Sequence, residues 1–137
     1  MPAGEVTITT VVGAPVEEAF AAFTEHVDRW WGRERPAETV VRFEGKRLIA
    51  VSVDGAELLA TVTKWIPPTR LELQWSGPVS LPGDTVIVAF DPEKTGTRVT
   101  VRHRRAGIKP EETRSAVIGL WWGDLLSRMQ GANQILE

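Results

Sequence analysis

From Val40 to His103 this chain reads as short strands separated by turns, and one helical stripe then has to cover them all. Turn signals recur at Glu44-Gly45-Lys46, Asp54-Gly55, Pro67-Pro68, Ser76 to Asp84, and Asp91 to Gly96. Asp-Gly between apolar runs is a strong hairpin signal. Leu71, Leu73 and Trp75 alternate with Glu72 and Gln74, and Val99, Val101 and His103 alternate with Thr100, Arg102 and Arg104. Each strand therefore has one apolar and one wet face, and tight turns between such strands make an antiparallel meander. Pro110, Glu111 and Glu112 then open a helix running to about Asn133, striped by Ile118, Trp121, Trp122, Leu125, Met129 and Ala132. At 1.5 Å per residue it is about 35 Å long, enough to cross a sheet. One helix cannot cover both faces of so many strands. A sheet curved around it buries the stripe and tends to leave a space between the two.

The segment before the meander adds a strand and a short helical region. Val6, Ile8 and Thr10 alternate with Thr7, Thr9 and Val11, and Gly13-Ala14-Pro15 punctuates. Pro15 suits a first helical turn, where its missing N–H costs nothing. Val16, Ala19, Phe20 and Phe23 then share one helical face. Val27, Trp30 and Trp31 repeat that spacing for another turn before Gly32 supplies a stop. In the long helix Gly119 and Gly123 lie a turn apart, each costing about 1 kcal/mol relative to alanine. They predict close approach of a neighbour, with tight packing on the sheet the plainer account and a ligand the alternative.

The order of these pieces resembles the activator of heat-shock-protein-90 ATPase homologue branch of the START-like (SRPBCC, or Bet v 1-like) superfamily. Ala14-Pro15-Val16 after the opening strand looks like that family's start, and Trp30-Trp31-Gly32 like the tryptophan motif that follows. Ala60-Thr61-Val62, Pro67-Pro68-Thr69-Arg70-Leu71 and Trp75 resemble its central segment. Gly96-Thr97-Arg98-Val99-Thr100-Val101 to His103 looks like its G-T-x-V-T strand, and Trp122, Leu126 and Met129 match its last helix. Two departures stand out: Ala60 and Trp121 occupy positions where the family usually has glycine. The resemblance implies an α+β helix-grip fold, a curved antiparallel sheet wrapped around a long C-terminal helix, with short helices after the first strand. It implies one such domain over residues 1–137 and an apolar cavity that Trp121 reshapes or partly fills. It implies no single activity, since fold does not give function.

Composition removes several classes of function. A formal net charge of -2 gives no global basic field for nucleic acid or anionic lipid. Without cysteine there is no disulfide, thiol catalysis or thiolate zinc site. Two histidines in separate segments, without an H-x-x-x-H or an Asp-rich loop, predict no metal and no cofactor. Nucleophile elbow, P-loop and dinucleotide fingerprints are missing. The first residues carry no basic, apolar leader, and no run approaches ~20 apolar residues, which predicts a cytoplasmic protein without stable membrane association.

The candidate site is the apolar interior between sheet and helix. Trp31, Phe43, Leu73, Trp75, Val86, Val88, Val101, His103, Ile118, Trp122 and Leu126 are its predicted ligand-binding residues, with Trp31 closing one end. His103 shares a face with Val99 and Val101 and is also a weak catalytic candidate, able to move a proton or orient a ligand. Its blander account is a histidine held by a backbone carbonyl or water. The leading reading is a binding protein for a hydrophobic, aromatic or lipid-like small molecule, more a binder than an enzyme. A co-chaperone-like ATPase-activator module is the alternative, docking through Arg98, Arg102, Arg104, Arg105 and Lys109; a cyclase or hydratase using the same cavity is the second. A homodimer or a protein partner stays open.

Overall fold

The computed structural model describes residues 5–31, 39–76, 83–104 and 112–135, the last segment with side chains at 118–130. Gly32, Glu38, Arg105, Lys109, Pro110, Glu111 and the side chain of Ala132 lie outside the described residues. The elements are β1 (Glu5–Val12), α1 (Val16–Thr24), a 3₁₀ turn (Val27–Arg29), β2 (Val40–Glu44), β3 (Arg47–Ser52), β4 (Gly55–Ile66), β5 (Arg70–Trp75), β6 (Thr85–Glu93), β7 (Gly96–Arg104) and α2 (Glu112–Ile135). Seven strands form one antiparallel sheet in the order β1-β7-β6-β5-β4-β3-β2, so the first strand lies beside the last. The sheet is curved, with α2 packed on it in the helix-grip arrangement that the meander and the stripe predict. No described helix is long and apolar enough to cross a membrane.

Side-chain alternation builds the inner face in rows. One row runs Val6, His103, Val86, Leu73, Val62 across five strands, and the next runs Ile8, Val101, Val88, Leu71, Trp65. Every residue of the first row except Val6 is buried, so a histidine sits in an otherwise aliphatic line. Ile118, Trp122, Leu125, Leu126 and Met129 of α2 close over these rows, each at most 1% exposed.

The helical region after β1 is shorter than the apolar spacing predicts. Thr24 donates its hydroxyl back to the Phe20 carbonyl at 2.8 Å, and the N–H groups of Glu25 and His26 both converge on the Ala21 carbonyl. Such back-bonding competes with the regular ladder. The chain tightens into the 3₁₀ turn, and the Trp30 and Trp31 N–H groups both donate to Val27. The alternation of β4 is interrupted twice, with Leu59 the extra residue opposite Leu48/Ile49 of β3 and Thr63 the extra residue between Val62 and Lys64.

The glycines divide sharply. Gly96 adopts φ +147°, and a Cβ there would lie 2.0 Å from the Val12 carbonyl oxygen. Gly119 faces Val6 and Ile8 of β1, but an added Cβ would meet them at 3.6 and 3.7 Å, ordinary contact. Gly123 has nothing within 4 Å among the described residues. The close neighbour that its helical cost predicts is therefore absent from them. Gly96→Ala is expected to destabilise by about 2–4 kcal/mol through strain and backbone overlap. Gly123→Ala is expected to stabilise by about 1 kcal/mol through helix propensity. Urea unfolding midpoints check both, and a destabilised Gly123→Ala would show that something does pack there.

Candidate functional site

Four indoles meet where the 3₁₀ turn, β5 and α2 converge. Trp31 lies 5.8 Å from Trp75 in a stacked arrangement, 5.6 Å from Trp121 and 5.8 Å from Trp122, the last two edge-on. Trp121 and Trp122 are 4.9 Å apart at 77°, and both also touch Trp75. Such edge-to-face and offset geometries suit the ring quadrupoles. Trp31, Trp75 and Trp122 are at most 1% exposed, while Trp121 is partly buried against them. Adjacent helical positions point about 100° apart, so Trp122 drops into the interior and Trp121 lies across its rim.

Beneath the indoles runs a buried polar chain. The Trp122 Nε1–H donates to His103 Nδ1 at 3.0 Å. That nitrogen therefore carries a lone pair, and the ring proton sits on Nε2, donating to Asp84 Oδ2 at 2.9 Å. His103 and Asp84 are both 0% exposed. A charge-assisted bond to a carboxylate is among the stronger hydrogen bonds, and each buried group left without one would cost about 1–3 kcal/mol. The chain ties α2 to the end of β7 and the entry to β6. The Asp84 carbonyl also accepts from the Trp75 N–H at 2.8 Å, linking the same aspartate to the indole cluster.

The predicted residues fall into three groups. Trp31, Trp75, Trp122 and His103 come together as described. Leu73, Val86, Val88, Val101, Ile118 and Leu126 are buried in the surrounding core. Phe43 stands apart from the cluster, at 5.8 Å from Trp65 near the other end of the sheet. Trp31 does more than close one end: it touches each of the other three rings, and its Nε1 is buried without a hydrogen-bond partner among the described residues. Trp30 turns the other way, against Phe23, and donates its N–H to the Ala22 carbonyl at 2.9 Å.

His103 is inward, as its alternation with Arg102 and Arg104 predicts, but side chains rather than a carbonyl or water hold both its nitrogens. No nitrogen of it is directed at a ligand in this arrangement. Asp84 carries no distinct signal within its turn-rich stretch, although it continues the inward parity of Val86 and Val88. The arginine run is largely neutralised where it is described: Arg98 pairs with Glu93, and Arg104 pairs with Glu5 at 2.8 Å. No group of three or more His, Asp or Glu able to hold a metal occurs among the described residues.

The family model for Activator of Hsp90 ATPase homolog 1-like proteins matches residues 13–133. Among solved structures, the AHSA1-like protein from Aeromonas hydrophila aligns at TM-score 0.70 and 19% identity, over 96% of this chain and 93% of that one. The Aha1 dimer from Colwellia psychrerythraea aligns at TM-score 0.67 and 18% identity, over 96% of each chain. CalU16 from Micromonospora echinospora aligns at 0.66 and 19%, over 93% of this chain and 74% of that one. At these identities the likeness shows the fold. No protein of curated function matches the sequence.

The polar chain makes a specific spectroscopic expectation. At pH 7 the ¹⁵N shifts of His103 should report a neutral ring protonated at Nε2 alone. Trp122→Phe removes the donor to Nδ1 and should destabilise by about 2–4 kcal/mol through the orphaned acceptor and the lost ring volume. Two protonated nitrogens in the unsubstituted protein would contradict the hydrogen-bond assignment.

Proposed function

This chain belongs to the family of Activator of Hsp90 ATPase homolog 1-like proteins, and from that premise we propose that it binds a hydrophobic, aromatic small molecule at the indole cluster between sheet and α2. The observation that carries this reading is the Trp31 Nε1–H, buried amid apolar rings with no acceptor among the described residues. An unmet buried donor costs about 1–3 kcal/mol. A ligand that brings a carbonyl or ether oxygen to it recovers that cost while its apolar surface is buried against the rings, at about 25 cal/mol per Å². A mostly apolar lining with one or two placed polar groups is the usual make-up of a small-molecule site.

Trp121 is the partly exposed indole of the four and covers the other three, so rotation of its side chain is the entry step this reading requires. The cyclase or hydratase alternative gains no support from His103, whose two nitrogens are engaged by Asp84 and Trp122. The protein-docking alternative loses part of its arginine run to intramolecular pairs.

Intrinsic fluorescence titration with a panel of aromatic ketones, matched hydrocarbons and fatty acids tests the reading. A ligand held at 100 times its Kd should stabilise the fold by about 2.7 kcal/mol. Trp31→Phe keeps a ring but removes the donor, and should reduce the preference for the ketone over its hydrocarbon about tenfold. A panel that changes neither fluorescence nor melting temperature would count decisively against binding at this site.

A further inference from the structure

A second aromatic feature lies at the other end of β4, away from the indole cluster. The β4 register slips between Val62 and Lys64, and bulges of this kind re-aim the side chains that follow. Strict alternation from Val62 would turn Lys64 inward and Trp65 outward. The slip reverses them: Lys64 pairs opposite Glu72, and Trp65 pairs opposite the buried Leu71. The Trp65 ring is fixed edge-on by Phe20 at 5.5 Å and Phe43 at 5.8 Å, yet remains 43% exposed. It lines a groove of about 430 Å³ together with Gly45, Lys46, Val62, Thr63 and Lys64. The Val62 N–H donates to the Lys46 carbonyl at 2.7 Å, pinning the β2–β3 turn beside the bulge.

The charges of this groove are unbalanced. Lys46 and Lys64 have no carboxylate within ion-pairing distance among the described residues. The nearest acidic neighbours in sequence and register are already engaged, Glu44 by Arg42 at 3.0 Å and Glu72 by Arg70 at 2.6 Å. This edge of β4 therefore brings a fixed, partly exposed indole and two lysines to one groove, neither lysine ion-paired among the described residues.

We propose that this groove binds a planar aromatic carboxylate, its ring against the exposed part of Trp65 and its carboxylate between Lys46 and Lys64. A neutral ring would leave both ammonium groups unmatched. An acid without a ring would gain only screened surface pairing, worth little by itself. Holding the indole between two perpendicular rings lowers the ordering cost of binding. The inference is independent of the interior site, since none of its lining residues belongs to the four-indole cluster.

The test is titration of the ¹⁵N-labelled full chain with 2-naphthoate and, separately, with the neutral 2-naphthylmethanol. The carboxylate should shift the Trp65 indole N–H and the Lys46 and Lys64 amides saturably, and should bind more tightly than the alcohol. The doubly substituted Lys46→Gln, Lys64→Gln protein should bind 2-naphthoate about fivefold more weakly, as expected for two exposed ion pairs, with the alcohol unaffected. Trp65→Leu should weaken both ligands. Equal affinity for acid and alcohol, or unchanged 2-naphthoate affinity in the glutamine variant, overturns the proposal. Shifts confined to the indoles of Trp31, Trp75, Trp121 and Trp122 would also overturn it, assigning the ligand to the interior. A ring-free polyglutamate peptide that binds the groove more tightly than 2-naphthoate would do the same, giving it to an acidic protein segment.

Discussion

One helix has to satisfy the inner face of a seven-stranded sheet, and most other features of this structure follow from that mismatch. The backbone of α2 lies along β1, one end of the strand order, and the strands toward β2 lie farther from it. Large rings close that distance. All six tryptophans and all four phenylalanines lie in one continuous series of ring contacts. It runs from Trp121 through Trp31, Trp30, Phe23, Phe90 and Phe20 to Trp65 and Phe43. A buried indole removes about 150–250 Å² from water, worth about 4–6 kcal/mol at 25 cal/mol per Å². Such a series is both the filling of the grip and a large share of its stability. It also crosses α1, which ties the short helix to the sheet through Phe20, Phe23 and Phe90.

Filling space with indole creates a second constraint, because every ring brings an N–H. Two of these donors find different solutions and a third finds none among the described residues. Trp30 donates to a local carbonyl, which costs the fold nothing further. Trp122 donates to His103, which requires the histidine to be neutral and then obliges Asp84 to receive the other ring proton. Trp31 has no solution within the described residues. A half-satisfied polar network is less stable than an apolar one. The conflict therefore gathers at one atom in the middle of the indole cluster, where local rules most often give way to function.

The strands, their faces and the helical stripe were legible because burial imposes a period of two on a sheet and 3.6 on a helix. Leu71, Leu73, Trp75, Val99, Val101 and His103 are inward for that reason, and the curvature of the sheet follows from counting faces. What period alone could not show is pairing between residues distant in sequence. Asp84 and His103 are 19 positions apart, as are His103 and Trp122, and nothing in any of those segments announces its partner. The bulge on β4 was equally hidden: it inverts the parity of Trp65 without any glycine or proline at the slip. At the early end of α1, Thr24 bonds back to Phe20 and two N–H groups share the Ala21 carbonyl, local effects too weak to read against a continuing apolar spacing.

Family membership constrains the scaffold more than the ligand, and Trp121 shows why. The resemblance places a glycine where this chain has an indole, so the rim of the interior departs here from the usual family pattern. Its ring contacts Trp31, Trp75 and Trp122 at once, covering the face that an open site would present. Three rings meet it at 65–77°, so on the proposed reading its displacement would open a slot bounded by ring faces. A slot of that kind favours a flat ligand over a flexible chain, because a flat ligand keeps ring contact on both sides and loses little rotamer entropy. The same indole stabilises the empty protein. On the proposed reading, every contact that Trp121 gives up on opening must be replaced by the ligand, so molecules with an aromatic surface at least as large as the displaced indole would be favoured.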